Sequence, residues 1–470
     1  MPDAIQCLEI GSTEFNMFFK RLRERAEIGD GPAGSIHAEL LEKARAGGDS
    51  VLLMFAEQFF EGLHPGIVAT VERVIQRVQA QGDGALCNLS RLFDGYPLTP
   101  PNIRVSPKEL DALAAQADAA TLELCRTQVI PRLMRFHEKQ RQESWQLDEQ
   151  GGSVGIRVQP LQRVALYVPG GKAFYPSSLM MSAIPAKVAG VKEIAVFTPP
   201  AAVDKTPLLA GLCKELGITE IYRVGGAQAV AAAALGTEKI ARVDKVVGPG
   251  NQFVATAKRM LNGRVAIDSF AGPSEVVILF DASATPAHVA ADLLAQAEHD
   301  EMAAAVGVTD SAEAAQAVAA EINLQLAGLP REAICRRSLE SFGGIVVAPS
   351  MGFALRFVDT LAAEHVEVIT GDAEKHSGQI RNAGAIFIGP FAPEAFGDYM
   401  AGPNHVLPTS GAARLRGGLS AADFVKVISV QELSAAALTQ LTPAITTLAR
   451  AEGLEAHARS VEMRGEAGNV

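Results

Sequence analysis

The sequence contains few cysteines, and no two of them are close together. The five are Cys7, Cys87, Cys125, Cys213 and Cys335 in a chain of 470 residues, and no C-x-x-C pair occurs. Zinc fingers need closely spaced cysteines, and disulfide frameworks use an even number of them. We therefore expect five reduced thiols in a cytoplasmic protein, since disulfides are rare in that compartment.

Long apolar runs and clusters of basic residues are also missing. No apolar stretch reaches the length of a membrane span. Asp3 and Glu9 interrupt the N-terminal stretch in which a secretory signal needs an uncharged segment. The formal net charge is −11, whereas a protein that binds nucleic acid needs a basic patch. These absences predict that neither a membrane nor a nucleic acid is a partner.

The sequence does contain a regular alternation of strand and helix patterns. From residue 164 onward, short β-branched runs alternate with helical runs, which is typical of parallel sheets with helices on both faces. We predict strands over residues 164–168, 194–198, 220–224, 243–247, 276–280, 304–309, 345–348, 366–370 and 385–388. Two α/β units thus follow one another, with helical patterns over residues 1–60 and again after Ser420.

Three glycine-rich turns follow strands of the first α/β unit, at Pro169-Gly170-Gly171, Gly225-Gly226 and Gly248-Pro249-Gly250-Asn251. Glycine lets the backbone approach a phosphate, and a following helix N-terminus favours negative charge. None of the turns is a full G-x-G-x-x-G, so the dinucleotide fingerprint is absent. Considered alone, each glycine-rich segment is better explained as a tight turn than as part of a cofactor site. Because three of them lie at one edge of the sheet, a cofactor site and three tight turns become equally good interpretations.

Residues 290–302, interpreted as a helix, carry three polar side chains on one face, those of Asp292, Gln296 and His299. Burying such a face is costly unless a partner compensates the polar groups. A metal ion or a polar substrate would do so. A single histidine in this setting is more often a hydrogen-bonded core residue.

Two further pairs are suited to chemistry. Glu364 and His365 directly precede a predicted strand, and a neighbouring carboxylate and imidazole can transfer protons near neutral pH. Asp398 and His405 flank a short loop and fit a borderline metal such as zinc. A surface pair at a strand start is an equally good interpretation of Glu364 and His365, whereas a loop Asp and His such as Asp398 and His405 are more often solvated or turn-forming.

Glu452 and His457 lie five residues apart in the predicted C-terminal helices. A solvated helix face is their simplest interpretation, because this spacing is not that of an i, i+4 pair. A functional role requires the tail to reach another domain or another chain.

Seven motifs in order are similar to those of the L-histidinol dehydrogenase family. The similarity runs from about residue 60 to the C-terminus, and its specificity comes from the order and spacing of the motifs. They are Tyr167-Val-Pro-Gly-Gly171, Gly225-Gly-Ala-Gln-Ala229, Val247-Gly-Pro-Gly-Asn251, Ala271-Gly-Pro-Ser-Glu275, Leu293-Leu-Ala-Gln-Ala-Glu-His299, Glu364-His365 and Asp398-Tyr-Met-Ala-Gly-Pro-Asn-His-Val-Leu-Pro408.

The resemblance implies an α/β fold with two Rossmann-like parallel-sheet domains that lack the standard fingerprint, plus small helical terminal domains. On this basis residues 1–60 form an N-terminal helical segment, and residues 61–163 with 274–418 form a discontinuous α/β domain carrying the catalytic and metal residues. Residues 164–273 form the NAD-binding α/β domain. Residues 419–470 form a helical tail that is swapped onto the other subunit of a homodimer.

The resemblance also implies an activity, the zinc- and NAD-dependent four-electron oxidation of L-histidinol through L-histidinal to L-histidine, the last step of histidine biosynthesis. One Zn²⁺ per subunit would be held by Gln296, His299, Asp398 and His457, with His457 contributed by the other subunit. The same four residues would also contact the substrate, L-histidinol.

Further roles follow from the same resemblance. Glu364 and His365 would be the catalytic residues. Additional substrate contacts would come from Ser274, His365 and, from the other subunit, Glu452. The NAD-contacting positions would be Tyr167, Gln228 and Asn251. His405 would lie near the substrate or behind the metal ligands.

The sequence departs from the family pattern at three places. Residues 267–270 read Ile-Asp-Ser-Phe where the family often has Met-Pro, Ala363 replaces the usual proline, and the N-terminal region is long. The alternative is a paralogous zinc- and NAD-dependent dehydrogenase of another polar alcohol, such as a sulfonated diol, although the Glu452 carboxylate would repel a sulfonate. An aldehyde dehydrogenase with a cysteine nucleophile is disfavoured, since no motif contains cysteine.

Overall fold

The structure is a computed structural model that describes residues 4–26, 34–64, 66–149, 151–170, 176–269 and 272–467. Gly171 and Ala271, which belong to two of the seven motifs, lie outside the described residues. Within these ranges, no helix combines the length and the apolar character that crossing a membrane requires.

Fourteen strands and twenty α-helices are assigned in the described ranges. The strands are β1 Cys7–Glu9, β2 Trp145–Glu149, β3 Gly152–Pro160, β4 Arg163–Tyr167, β5 Glu193–Phe197, β6 Glu220–Tyr222, β7 Lys245–Val247, β8 Ala266–Ile267, β9 Glu275–Phe280, β10 Ala304–Thr309, β11 Gly344–Val347, β12 His365–Ile369, β13 Ala385–Ile388 and β14 Val425–Leu433.

The helices are α1 Thr13–Ala26, α2 Gly34–Ala46, α3 Ser50–Phe60, α4 Ile67–Asp94, α5 Pro107–Ala114, α6 Ala119–Leu124, α7 Ile130–Glu138, α8 Pro176–Ala189, α9 Pro200–Lys205, α10 Pro207–Glu215, α11 Gly226–Leu235, α12 Gln252–Leu261, α13 Pro286–Ala297, α14 Ala312–Leu326, α15 Glu332–Phe342, α16 Met351–Leu361, α17 Ala373–Ser377, α18 Glu394–Tyr399, α19 Ala435–Ala451 and α20 Glu455–Ala467. Short 3₁₀ turns occupy Pro100–Asn102, Ala412–Arg414 and Ala421–Phe424, and a π turn occupies Cys125–Val129.

The first α/β unit is a five-stranded parallel sheet in the order β6-β5-β4-β7-β8. Every residue of its central strand β4 is buried, as expected for a parallel strand covered by helices on both faces. The four strands predicted here all overlap β4 to β7, so this part of the prediction is confirmed.

The second unit is a six-stranded parallel sheet in the order β1-β11-β10-β9-β12-β13. Its five predicted strands are confirmed. The edge strand β1 was not predicted, since residues 1–60 were interpreted as wholly helical. Leu8 is the buried residue of this three-residue strand, which is too short to produce a clear alternation in the sequence.

A third sheet is antiparallel, in the order β14-β3-β2, and was not predicted. The C-terminal tail was interpreted as helical from about Ser420, but it begins with the nine-residue strand β14 before α19 and α20. β2 is wholly exposed and β3 is only partly buried. A sheet without a covered face produces little hydrophobic alternation, and this explains the error.

Helix packing differs from the predicted domain boundaries. Helix α4 shares a buried core with the five-stranded sheet through Val71, Leu86 and Tyr167, and α7 shares another through Leu133 and Leu166. Residues 67–138 therefore share both cores of the five-stranded sheet with residues 164–273, and α7 also contacts Asn404 of the segment with which the prediction grouped it. The N-terminal segment also divides, because α1 packs on the six-stranded sheet and α3 packs in the α4 core.

Candidate active site between the two parallel sheets

A cavity of about 820 Å³ lies between the two α/β units. Loops that follow β4, β6 and β7 line one side, and residues that precede β9, β10 and β12 line the other. Most of the predicted site residues meet here: Tyr167, Gln228, Asn251, Ser274, His299, Glu364, His365, Asp398 and His405. No cysteine is among the lining residues that the structure describes.

Glu364 and His365 stand at the start of β12, and both are buried. The neighbouring strand β9 holds the pair through Glu275. The backbone N–H of Glu275 donates to the Glu364 carboxylate at 3.1 Å, and the backbone N–H of Glu364 donates to the Glu275 carboxylate at 3.3 Å. The two acidic residues therefore fix each other's side chains at the N-terminal ends of the adjacent strands β9 and β12.

The Glu364 carboxyl group is difficult to ionise in this position. Burial and the nearby charge of Glu275 raise its pKa well above the usual range, and hydrogen bonds from the Glu275 amide and the Ser274 side chain oppose the increase. A carboxyl group with a raised pKa in a cavity is suited to act as a base near neutral pH. Ser274 is thus in contact with the catalytic candidate.

His365 is neutral and oriented. Its Nδ1 lies 3.2 Å from the carbonyl oxygen of Glu275 and 3.3 Å from the Glu394 carboxylate. Because a carbonyl oxygen only accepts, Nδ1 carries the proton and Nε2 is left as a proton acceptor. Burial lowers the pKa of His365 to about 4, although the charge of Asp398 partly opposes it.

His299, Glu394 and Asp398 form a cluster whose potential ligand atoms all lie within 4.8 Å of one another. An imidazole and two carboxylates are donors that suit zinc or another borderline divalent ion. The fully buried Gln296 amide lies against Glu394, and when its nitrogen is oriented towards Glu394 it donates to a carboxylate oxygen at 2.8 Å. Three of the four predicted zinc ligands, Gln296, His299 and Asp398, are therefore together.

The predicted polar helix face is wrong in two respects. Helix α13 ends at Ala297, so His299 lies in the following turn and not on the helix. Asp292 is not among the residues that line the cavity, and its side chain hydrogen-bonds to Glu367. The end of a helix is the part that a periodic pattern locates least accurately.

Glu394 is a site residue that the sequence interpretation missed. It is the first residue of α18, and Asp398 lies four residues later on the same face. That i, i+4 spacing of two carboxylates was the available signal. Burial, and then the charges of Asp398 and Glu367, raise the pKa of Glu394 well above its usual value.

Asp398 remains the ionised member of this cluster. Burial raises its pKa, but hydrogen bonding and the charge of His405 outweigh burial, so that the net pKa lies below the usual value. His405 Nδ1 lies 3.5 Å from the Asp398 carboxylate and 3.2 Å from its backbone oxygen. His405 is therefore directly behind a predicted metal ligand.

The three predicted cofactor residues lie on the opposite side of the cavity. The hydroxyl of Tyr167 accepts a hydrogen bond from the Gly226 amide at 3.1 Å, and burial raises the pKa of Tyr167 to about 12. Gln228 lies in the first turn of α11, and Asn251 caps α12 through two backbone amides at 3.1 Å. Two helix N-termini therefore border the cavity, where they favour an anion such as a phosphate.

The third glycine turn is held by a buried ion pair. Lys258 pairs with Asp268 at 2.6 Å and also donates to the Gly248 carbonyl, while the Gly248 amide donates to Asp268 at 2.6 Å. Gly248 has a φ of +116°, and a Cβ there would lie 2.1 Å from the Tyr167 carbonyl oxygen. The turn requires glycine at this position.

Glu452 and His457 are not near this cavity in the single chain. Both are exposed, at the end of α19 and within α20. The terminal region carries an unusual number of exposed large apolar side chains, including Val427, Ile428, Val430, Leu433, Leu441, Leu448, Leu454 and Met463. One chain therefore brings together every predicted site residue except these two.

Known proteins resemble this chain over most of its length. The sequence profile of the family described as "Histidinol dehydrogenase" matches residues 63–465. The histidinol dehydrogenase of Syntrophotalea carbinolica is 46% identical over 400 residues, which are 85% of this chain and 93% of that protein. The histidinol dehydrogenase of Geobacillus kaustophilus is 48% identical over 397 residues, 84% of this chain and 93% of that protein.

A solved structure of a histidinol dehydrogenase also resembles this chain over most of its length. The crystal structure of histidinol dehydrogenase from Elizabethkingia anophelis superimposes with a TM-score of 0.79 at 35% sequence identity, covering 85% of this chain and 92% of that one. Helices α2 and α3 precede residue 63, where the profile match begins.

Proposed function

Because the chain belongs to the histidinol dehydrogenase family and is an NAD-dependent oxidoreductase, we propose that it oxidises L-histidinol to L-histidine in two successive steps with zinc bound. The observation that carries the proposal is the position of the buried Glu364 and His365. They share one cavity with the cluster of His299, Glu394 and Asp398.

The zinc ion would be held by Gln296, His299, Asp398 and His457 of the partner subunit. The donor set supports this, since the first three already lie around one point with Glu394. When bound, the ion supplies the positive charge that anchors the imidazole and amine of the substrate. Glu394 would hold the Gln296 amide, and His405 would hold Asp398.

His365 performs the first proton transfer. Its Nδ1–H is fixed by the Glu275 carbonyl, so Nε2 accepts the proton of the substrate hydroxyl. The low pKa of His365 keeps it neutral and ready to accept at neutral pH. NAD⁺ supplies the hydride acceptor in each of the two steps.

Glu364 performs the second proton transfer. The bound aldehyde must add water before a second hydride can leave, and a carboxylate with a raised pKa can remove a proton from that water. Ser274, which hydrogen-bonds to Glu364, contacts the substrate beside it. Keeping the aldehyde bound in the cavity prevents its loss between the steps, and a closed dimer interface would help to retain it.

The cofactor occupies the opposite side of the cavity. Tyr167, Gln228 and Asn251 contact NAD⁺, and the N-termini of α11 and α12 favour its phosphates. The absence of a full glycine fingerprint is compatible with this arrangement, because two helix ends are available instead of one.

The active protein is a homodimer with shared sites. Glu452 and His457 are exposed in the single chain, and the C-terminal region carries apolar side chains that a second subunit would cover. Glu452 of the partner subunit would bind the substrate amine, since a carboxylate attracts a cation.

The test is the amount of NADH formed per L-histidinol at exhaustion, before and after zinc chelation. Two NADH per substrate, lost on chelation and restored by zinc, supports the proposal. No NADH from zinc-loaded enzyme contradicts it and leads to other polar alcohols, including sulfonated diols, as substrates. One NADH per substrate would limit the reaction to a two-electron oxidation and contradict the role of Glu364.

A further inference from the structure

Arg25 contacts residues that hold the active site, among them Ser274 and Glu275. It nevertheless precedes residues 63–465, the range that the family profile matches. It is in the last turn of α1, and its guanidinium is completely buried. An arginine is rarely buried unless it is paired. The partners of this cation therefore indicate what it does.

The first partner is Glu275, with which the Arg25 guanidinium forms a short ion pair. Glu275 is the residue that exchanges hydrogen bonds with Glu364. Its carboxylate also accepts from the Ser410 amide at 3.0 Å. Two buried carboxyl groups thus lie side by side, and one of them faces the cavity while the other faces Arg25.

Two like charges at this separation oppose each other's ionisation in a buried site. A cation that pairs with Glu275 offsets that repulsion, and Arg25 acts on the Glu364 charge directly as well. Without Arg25, both carboxyl groups lose the cation that favours their ionised forms, so ionising Glu364 beside Glu275 becomes harder. The Arg25 charge therefore supports the ionised form that a base requires.

The remaining partners are two backbone oxygens. The guanidinium donates to the carbonyl of Ser274 at 3.2 Å and to that of Met302 at 2.8 Å. Ser274 precedes β9, and Met302 lies three residues after His299. A planar fork with five donors can hold both segments at once, whereas a lysine cannot.

We infer that Arg25 is a positioning residue for the oxidation: its pairing with Glu275 keeps Glu364 ionisable, and its two backbone hydrogen bonds fix the segments that carry Ser274 and His299. The inference rests on the proposed function only in the role given to Glu364. The N-terminal helix α1 is thus part of the active-site structure, which residues 63–465 alone do not contain.

The test compares Arg25→Gln, Arg25→Lys, Glu275→Gln and the double variant Arg25→Gln/Glu275→Gln. Arg25→Gln should lower kcat by about tenfold or more and move the acid limb of the kcat profile to higher pH by about one unit. Arg25→Lys should keep the acid limb near that of the wild type but recover kcat only in part. The KM for NAD⁺ should change less than about twofold, because the cofactor loops lie on the other sheet.

The double variant is the critical one, because it removes both charges together and leaves no unpaired buried ion. It should return the acid limb to the wild-type position or below it, as Glu275→Gln alone should. In the wild type, the charged and titratable groups that face Glu364 are Glu275, Arg25, His365, Glu394 and Asp398. Only the first two are changed, so a shift that reverses in the double variant is caused by that pair.

A second measurement requires no turnover. The infrared band of the protonated Glu364 carboxyl, isolated by subtracting the spectrum of a matched Glu364→Gln protein, follows the same titration. It should persist to higher pH in Arg25→Gln and not in the double variant. An unchanged titration in both variants overturns the inference, and so does an acid limb that moves to higher pH in Arg25→Gln and stays there in the double variant. The two proposals can fail separately. If the wild type makes no NADH from L-histidinol but Arg25→Gln still shows the infrared shift, the proposed function is wrong and the inference is supported.

Discussion

The carboxylates of Glu275 and Glu364 each accept a hydrogen bond from the backbone amide of the other residue. The carbonyl of Glu275 also lies against Nδ1 of His365. One residue of β9 therefore orients both members of the proposed proton-transfer pair on β12. This explains how adjacent residues at a strand entry can both be fixed at one cavity, although strand neighbours normally point to opposite faces.

Replacing the proposed base should remove most of the activity. His365→Asn is expected to lower kcat by about 10² to 10⁴-fold, the usual contribution of a general base, because it removes the Nε2 atom that accepts the substrate proton. Steady-state NADH formation from L-histidinol measures the effect.

The matched control is His376→Asn. His376 hydrogen-bonds to Thr370 and is not among the residues that line the cavity, so kcat should stay within about twofold of the wild type. A near-normal rate in His365→Asn would remove His365 from its role.

The burial of His365 should also appear in the pH dependence of stability. Its pKa is about 4 in the folded protein, against 6.5 for an unperturbed histidine, so the unfolded chain binds the extra proton between these values. Stability therefore falls as the pH decreases from about 6.5 towards 4. Above that window the contribution is constant.

The measurement is urea unfolding of the chelated wild type and of His365→Asn at equal concentration. Between about pH 7 and pH 5 the wild type should lose about 2 kcal/mol more than the variant. The comparison cancels the opposite trend of carboxyl groups that His365 does not contact and whose pKa is raised by burial, such as Asp94. Parallel pH profiles for the two proteins would show that His365 is not buried in its neutral form.

The two parallel sheets could be predicted from the sequence because their strands are continuous apolar runs, as in β4 and β9. The third sheet could not. Strand β3 contains two glycines and is only partly buried, so its pattern lacks a hydrophobic face. The strand β1 is only three residues long, which is shorter than any periodic signal.

The site was predicted where a motif is local and missed where it depends on the register of the sheets. Glu364 and His365 are adjacent in sequence, but their partner Glu275 is about ninety residues away and is identified only by the pairing of β9 with β12. Arg25 is more distant still. A role for Glu452 and His457 cannot be established from a single chain, because both are exposed there and neither lines the cavity.

The shared site can be tested with hybrid dimers. A dimer of one His457→Ala chain and one Asp398→Ala chain should retain about half of the wild-type activity, since both substitutions fall in one site and leave the other intact. Homodimers of either variant should be inactive and are the controls. Complete inactivity of purified hybrids would contradict a site assembled from two subunits.

The buried pair of Lys258 and Asp268 should determine both stability and cofactor binding. Lys258→Met leaves Asp268 without its cation and the Gly248 carbonyl without a donor, and breaking a buried pair costs about 3–5 kcal/mol. Adding Asp268→Asn removes the unpaired charge but keeps an acceptor for the Gly248 amide. The double variant should therefore be more stable than Lys258→Met alone.

The effect on the cofactor separates this role from general destabilisation. The turn that begins at Gly248 lines the cavity through Asn251 and its neighbours, so Lys258→Met should raise the KM for NAD⁺ by about tenfold, equivalent to about 1.4 kcal/mol. Lys245 is another buried lysine of the same unit, and it donates to the Asp423 carbonyl at 2.6 Å. Lys245→Met should lower stability without changing the KM for NAD⁺, because neither Lys245 nor Asp423 lines the cavity. Equal changes in KM for the two variants would show that the loss of stability, and not the position of the Gly248 turn, controls cofactor binding.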